Sequence, residues 1–292
     1  MDRLAAAKNA LLIMYAWDMC AANLRNLAPD PARVSAAGWT VAGFISGSDD
    51  ILRSGLGLRT AMLGGSSDPQ DRVCYGYAAR RNNQYVAVIR GTDGAEEWGD
   101  DCDFLMTAHP DAGLVDQGFW SIYDTMKFRD LAGNESRLAD GIKAAAGAAP
   151  VMVLGHSLGA ALATYLTLEL NLEQCPASAC LFASPRTGNQ TFVDFFESKV
   201  ANYDLFNYER DVVPTVPFND VLHFSNYHPL AQAKTIPAAG ASAAIQDNPG
   251  CNHHLICYTA LLDPDAYKSA LSDPACTGDD HSCAQCVLST SA

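Results

Sequence analysis

The chain has 292 residues, 49% of them hydrophobic and 18% charged, enough for one large core and typical of a single α/β domain. Its 19 basic and 33 acidic residues give a formal net charge of −14 with no Lys/Arg-rich run, which excludes nucleic acid as a partner and leaves anionic membrane surfaces repelled unless a local patch opposes the field. No uninterrupted apolar run approaches the ~18 residues of a membrane span, so no transmembrane segment is expected.

At the N-terminus, Arg3 and Lys8 precede an apolar stretch, residues 10–17, that superficially resembles a signal peptide. Asp18 interrupts it and no clean small-x-small cleavage site follows; the spacing of Leu4, Leu11, Leu12 and Tyr15 predicts instead an amphipathic helix packed on a core. Pro29, Pro31 and Gly38 mark turns, and residues 46–65 read as loop. Residues 73–79 and 84–90 read as a hairpin joined by the polar turn 80–83. After the charged Gly/Asp segment 91–103 come helices over 118–126 and 136–148, then a strand at 151–154. Strands at 178–183 and 203–208 flank a helix over 191–200. The Ala-rich stretch 231–244 reads as a loop or short helix, and the tail beyond Pro264 as a peripheral helix plus a Cys-stapled loop. Strands alternating with helices after an antiparallel start predict a mostly parallel central sheet covered on both faces, in one domain spanning 1–292.

Ten cysteines are many for an enzyme of a reducing compartment. Cys175 with Cys180, Cys251 with Cys257, and Cys276, Cys283 and Cys286 are neighbours in sequence, and disulfides, free structural thiols or a zinc site all fit such a pattern. Cys283-x-x-Cys286 is a poor metal motif, because only Cys276 and His281 stand nearby as further ligands. An oxidised protein would be secreted or exported without a recognisable signal peptide; the alternative is a cytoplasmic one.

The most informative stretch is Gly155-His156-Ser157-Leu158-Gly159. The apolar run 151–154 precedes it, and Leu158, Leu162, Tyr165, Leu166 and Leu170 follow at helical spacing, so the serine sits at a strand–turn–helix elbow. There its hydroxyl stands at a helix N-terminus beside a backbone N–H suited to an oxyanion. Such a serine needs a histidine base, and the base needs an acid. Downstream lie Asp211, just past the 203–208 strand where the crevice of an open α/β sheet falls, and then His253 and His254. A solvated turn aspartate would produce the same local pattern.

Five stretches in order carry a resemblance: Ile89-Arg90-Gly91-Thr92, Gln117-Gly118-Phe119 with Tyr123, Gly155 to Ala160 (GHSLGA), Ala183-Ser184-Pro185-Arg186-Thr187-Gly188-Asn189, and RDVVPTVP from Arg210. The chain thereby resembles the lipase class 3 family of α/β hydrolases over residues 70–260. The resemblance implies the α/β-hydrolase fold, with Ser157 as nucleophile, Asp211 as acid, and Thr92 with the Leu158 N–H as oxyanion donors. It favours His253 as base, because His253 and Tyr258 match the family's spacing, with His254 as the alternative. His109, His223, His228 and His281 read as surface or packing histidines, and His156 points its ring away from the neighbouring hydroxyl.

The chain departs from the family where Gln117 replaces a His and Ala183 a Gly. The segment aligned with the family's lid carries Glu96 and Glu97 and keeps only Trp98 as a large apolar residue, a poor face for an oil–water interface. The expected activity is serine carboxylester hydrolysis of the lipase or phospholipase A type, on ester or lipid substrates with transient contact to lipid surfaces. It needs no metal and no cofactor, and a monomer is expected. The alternatives are a short-chain or aryl (feruloyl-like) esterase and a non-catalytic lipid-binding member of the fold.

Overall fold

The computed structural model describes residues 1–48, 72–92, 105–217, 226–273 and 283–290. In chain order its helices are α1 (Arg3–Ala21), α2 (Ala32–Ala36), α3 (Gln117–Thr125), α4 (Leu138–Ala146), α5 (Leu158–Leu172), α6 (Gln190–Lys199), α7 (Pro249–His253), α8 (Leu255–Leu262) and α9 (Pro264–Ser272). The strands are β1 (Thr40–Ser48), β2 (Arg72–Arg81), β3 (Gln84–Ile89), β4 (Met106–Ala108), β5 (Leu114–Asp116), β6 (Lys127–Asp130), β7 (Glu135–Arg137), β8 (Val151–His156), β9 (Ala177–Phe182), β10 (Gly188–Asn189), β11 (Tyr203–Tyr208), β12 (Tyr227–His228), β13 (Ala233–Ile236), β14 (Ala243–Ile245) and β15 (Val287–Thr290).

Strands β3, β8 and β9 are apolar on both sides, the pattern of a strand buried on both faces, and they form the parallel centre of a nine-stranded sheet. Its order is β13-β11-β9-β8-β3-β2-β1-β6-β7; pairings are parallel from β13 to β3 and antiparallel from β3 to β7. One core, on the face of α1, α8 and α9, contains Ile13, Phe182 and Leu261. The opposite core, on the face of α3 to α6, contains Phe119, Ile142, Leu162 and Phe196. In the parallel register Gly155 lies opposite Ile89 and Leu181, which brings the end of β8 to the carboxyl edge of the central strands, where open α/β sheets bind ligands.

Three readings of the sequence change. Residues 46–48 are not loop but the end of β1, a central strand whose glycines Gly43 and Gly47 dilute its β signal while Phe44 and Ile45 are buried. Part of the Ala-rich stretch is β13, whose main chain pairs in parallel with β11 although its side chains are mostly exposed. Backbone bonding at a sheet edge leaves no apolar pattern to read. In α1 Leu12 is buried and Leu11 and Tyr15 pack against the core as the spacing predicts, but Leu4 is 46% exposed and Ala6, Ala10, Ile13 and Met14 supply much of the buried face, the small residues letting the helix lie close to the sheet.

Among the described residues two disulfides join segments far apart in sequence, Cys20 to Cys74 and Cys251 to Cys286. Cys175, Cys180 and Cys257 are buried, and Cys175 and Cys180 are free thiols among the described residues. Cys175 and Cys180, neighbours in sequence, belong to cores on opposite faces of the sheet and so cannot pair. Cross-links closing chain separations of 54 and 35 residues stabilise by about 4 kcal/mol each in the chain-entropy account. Among the described residues no helix is long and apolar enough to cross a membrane.

Candidate active site

The elbow is built on close backbone approach. Ser157 has φ 58° and ψ −130°, a conformation an L-residue adopts only when its surroundings fix it. Its N–H donates to the Phe182 carbonyl at 3.0 Å, and β8 ends immediately before it while α5 begins immediately after. At Gly159 a Cβ would stand 2.3 Å from the Ile89 carbonyl oxygen, so only glycine lets α5 start this near β3. At Gly91 a Cβ would stand 2.9 Å from the Ser157 Cβ, which puts the turn carrying Thr92 directly beside the serine.

His253, the last residue of α7, reaches both partners. Its Nδ1 lies 2.9 Å from Asp211 Oδ2 and its Nε2 2.9 Å from Ser157 Oγ. An ionised carboxylate only accepts, so Nδ1 carries the proton and Nε2 accepts from the serine hydroxyl. Asp211 follows β11, and its side chain is fully buried. Oδ1 accepts from the Val213 N–H at 3.0 Å, while Oδ2 also accepts from the Tyr258 hydroxyl at 2.7 Å. That hydroxyl in turn accepts from the Tyr208 N–H at 2.8 Å. Burial holds the Tyr258 phenol well above its ordinary pKa, so it stays a donor. Of the two candidate histidines, it is His253 that contacts both Asp211 and Ser157, while His254 leaves the helix with φ −61° and ψ 134°.

Thr92 is buried, and its Oγ1 has no hydrogen-bond partner among the described residues. The Leu158 N–H lies in the first turn of α5, where a helix leaves its donors unpaired. Arg90 fixes the turn before Thr92: Nη1 donates to the Gly91 carbonyl at 2.7 Å and Nε to that of Cys74 at 3.0 Å, and its guanidinium sits over the Trp17 and Tyr75 rings. The Cys20–Cys74 disulfide ties the same corner to α1. Glu96, Glu97 and Trp98 lie outside the described residues.

His109 packs edge-on against Trp120, and His228 contacts Asn226 Oδ1; His223 and His281 are outside the described residues. Cys286 is committed to a disulfide and so is not available as the second thiolate of the Cys283-x-x-Cys286 motif; Cys276 and His281 lie outside the described residues. Two contributors were not singled out from the sequence as supports of this site. Arg90 was visible only as part of its motif, and His156, whose ring bonds the His253 carbonyl, left no pattern in the chain.

Residues 86–221 match the family model described as Lipase (class 3). A secreted mono- and diacylglycerol lipase A of Penicillium cyclopium is 30% identical over 148 residues, 49% of this chain and 46% of that protein. Phospholipase A1-II 4 of Oryza sativa subsp. japonica is 31% identical over 174 residues, 49% and 42% of the two chains. The chain thus spans about half the length of the curated relatives it matches. A fungal lipase described for the unusual buried polar cluster of its family superposes with a TM-score of 0.55 at 22% identity, over 82% of this chain and 80% of that one. A mutant of the Penicillium cyclopium protein superposes with a TM-score of 0.52 at 21% identity, over 78% of each. At these identities the superpositions establish the α/β-hydrolase fold and nothing finer.

Proposed function

We propose that this chain, whose residues 86–221 belong to the lipase class 3 family, hydrolyses carboxylic esters of lipids through an acyl-enzyme. The observation that carries the reading is the buried line from Ser157 Oγ through His253 to Asp211, with 2.9 Å at each step. Ser157 Oγ attacks the ester carbonyl as its proton passes to His253 Nε2. Asp211 stabilises the imidazolium, while the N–H groups of Thr92 and Leu158 face the oxyanion. Collapse of the tetrahedral adduct breaks the ester C–O bond, and His253 returns the proton to the leaving alcohol. Water then repeats the sequence on the acyl-enzyme and releases the acid.

Within that class we favour acylglycerols and phospholipids, the substrates named for the fungal and rice relatives. A net charge of −14 favours neutral or zwitterionic lipid over anionic lipid, with a difference that shrinks as salt is added. Two disulfides and the secreted relatives support export to an oxidising compartment.

A chain-length panel of nitrophenyl esters, run beside defined phospholipids and triacylglycerols, tests activity and substrate class together. Ser157→Ala should lower turnover on the order of a millionfold while the protein stays folded, and an organophosphonate should label Ser157. Near-normal hydrolysis by folded Ser157→Ala protein would end the serine-esterase reading.

A further inference from the structure

We propose that His156, the residue before the nucleophile, is a positioning residue that holds the base: its ring pins the main chain at His253 and lies against the imidazole. The inference rests on the ester-hydrolase reading above, and it begins with an unfilled backbone acceptor. His253 closes the five-residue helix α7, and a helix leaves its last carbonyls without partners. The chain turns extended at His254, and the following N–H groups do not return to His253: those of Cys257 and Tyr258 both donate to the His254 carbonyl. The His253 carbonyl is met instead by His156 Nε2, 2.9 Å away across 97 residues of sequence. A carbonyl only accepts, so His156 carries its proton on Nε2 and presents a bare Nδ1.

That bare nitrogen is the second observation. His156 Nδ1 is buried without a hydrogen-bond partner among the described residues, so a proton arriving there would find no acceptor among them. Burial, with His253 and His254 nearby, pushes the His156 pKa well below that of an ordinary histidine. The groups facing it are the His253 ring at 4.8 Å and 32°, the Tyr258 ring at 6.3 Å, and His254; Asp211 lies beyond His253. A neutral imidazole in that place cannot compete with His253 for the serine proton. Its π-face also lies within the roughly 6 Å at which a ring attracts a cation, the charge His253 acquires during attack. Strand β8 therefore carries the nucleophile at its tip and anchors the base one residue earlier, so the two reacting side chains share one rigid support.

The test compares His156→Phe, which keeps a ring and loses the donor, with His156→Gln, whose amide N–H₂ can donate again. His156→Phe should lower kcat about a hundredfold with KM unchanged, the scale set by roughly 1 Å of misplacement of a reacting group. His156→Gln should recover most of that loss, with thermal melting confirming that both proteins fold. The titration of His253 followed by NMR should change in His156→Phe and return toward normal in His156→Gln. A folded His156→Phe protein with wild-type kcat and an unaltered His253 titration overturns the proposal while leaving the esterase reading intact. Equal losses in both variants also overturn it, because restoring a donor would then restore nothing. If the wild-type protein hydrolyses no ester, the esterase reading falls by itself, and the His253 titrations of the two variants still decide whether His156 anchors that residue.

Discussion

Two buried aspartates in this molecule have nearly the same surroundings and different consequences. Asp116, at the end of β5, accepts from the Phe119 N–H at 2.8 Å and from the Tyr227 hydroxyl at 2.9 Å. Asp211, past the end of β11, accepts from the Val213 N–H at 3.0 Å and from the Tyr258 hydroxyl at 2.7 Å. Each has a main-chain donor and a tyrosine, and only Asp211 has an imidazole, at 2.9 Å. Burial, with no cationic partner among the described residues, pushes Asp116 up to about 6, against the hydrogen bonds that favour its charge. A buried carboxylate bonded to a tyrosine is therefore a structural arrangement by default; what sets Asp211 apart is the histidine turned toward it.

The strongest way to break that contrast is at the imidazole. His253→Ala should cost about as much as loss of the serine, on the order of a millionfold in turnover, whereas His254→Ala should change it by only a few-fold. A large loss in His254→Ala with a small one in His253→Ala would detach Asp211 from the chemistry. Asp211→Asn should cost about ten-thousandfold, because the amide no longer imposes the tautomer that leaves Nε2 free to accept. Asp116→Asn in the same assay should leave turnover unchanged at 25 °C.

How far the sequence reached follows the same physical divide. The parallel strands and α5 are readable because burial on both sheet faces leaves a continuous apolar run bounded by turns. Strand β1, with its glycines, and the exposed edge strand β13 are not, because their place is set by main-chain pairing. Ser157 and Asp211 could be singled out from local pattern and chain order, and the structure brings both to His253. Choosing between His253 and His254 needs the point where α7 ends, and the part played by His156 needs a contact between residues 97 apart. Asp116 shows the converse limit: its burial could not be told from that of any N-capping aspartate.

A milder perturbation acts on the support of the imidazole. Cys251 lies two residues before His253 and is bonded to Cys286, whose carbonyl accepts from the Gln246 N–H at 2.8 Å. The segment that carries the base is thus stapled to the C-terminal ribbon of β14 and β15. Cys251→Ser with Cys286→Ser should lower kcat about tenfold, less than any change to the reacting groups, because the Asp211 and His156 contacts still guide the histidine. It should also lower stability by about 4 kcal/mol. Turnover equal to that of the oxidised protein would mean that those contacts alone define the position of His253.

The smallest effect is the one that separates the two aspartates without touching catalysis. Asp116 has an ordinary carboxyl pKa of 3.8 when unfolded and one of about 6 when folded, so the native state binds the extra proton between those values. Its contribution favours folding below about pH 4, is lost as pH rises through 6, and leaves a buried, unpaired charge at pH 7 and above. Asparagine keeps an acceptor for the Phe119 N–H and can still bond the Tyr227 hydroxyl, and it cannot ionise. Asp116→Asn should therefore match the wild-type melting temperature near pH 4, gain on it as pH rises to about 6, and hold a constant advantage above, worth at most on the order of 3 kcal/mol. Melting curves of the two proteins from pH 4 to 8 measure this directly. A difference that does not vary with pH would mean that Asp116 is ionised throughout, and that the tyrosine and the main-chain donor suffice to hold a buried carboxylate without a histidine.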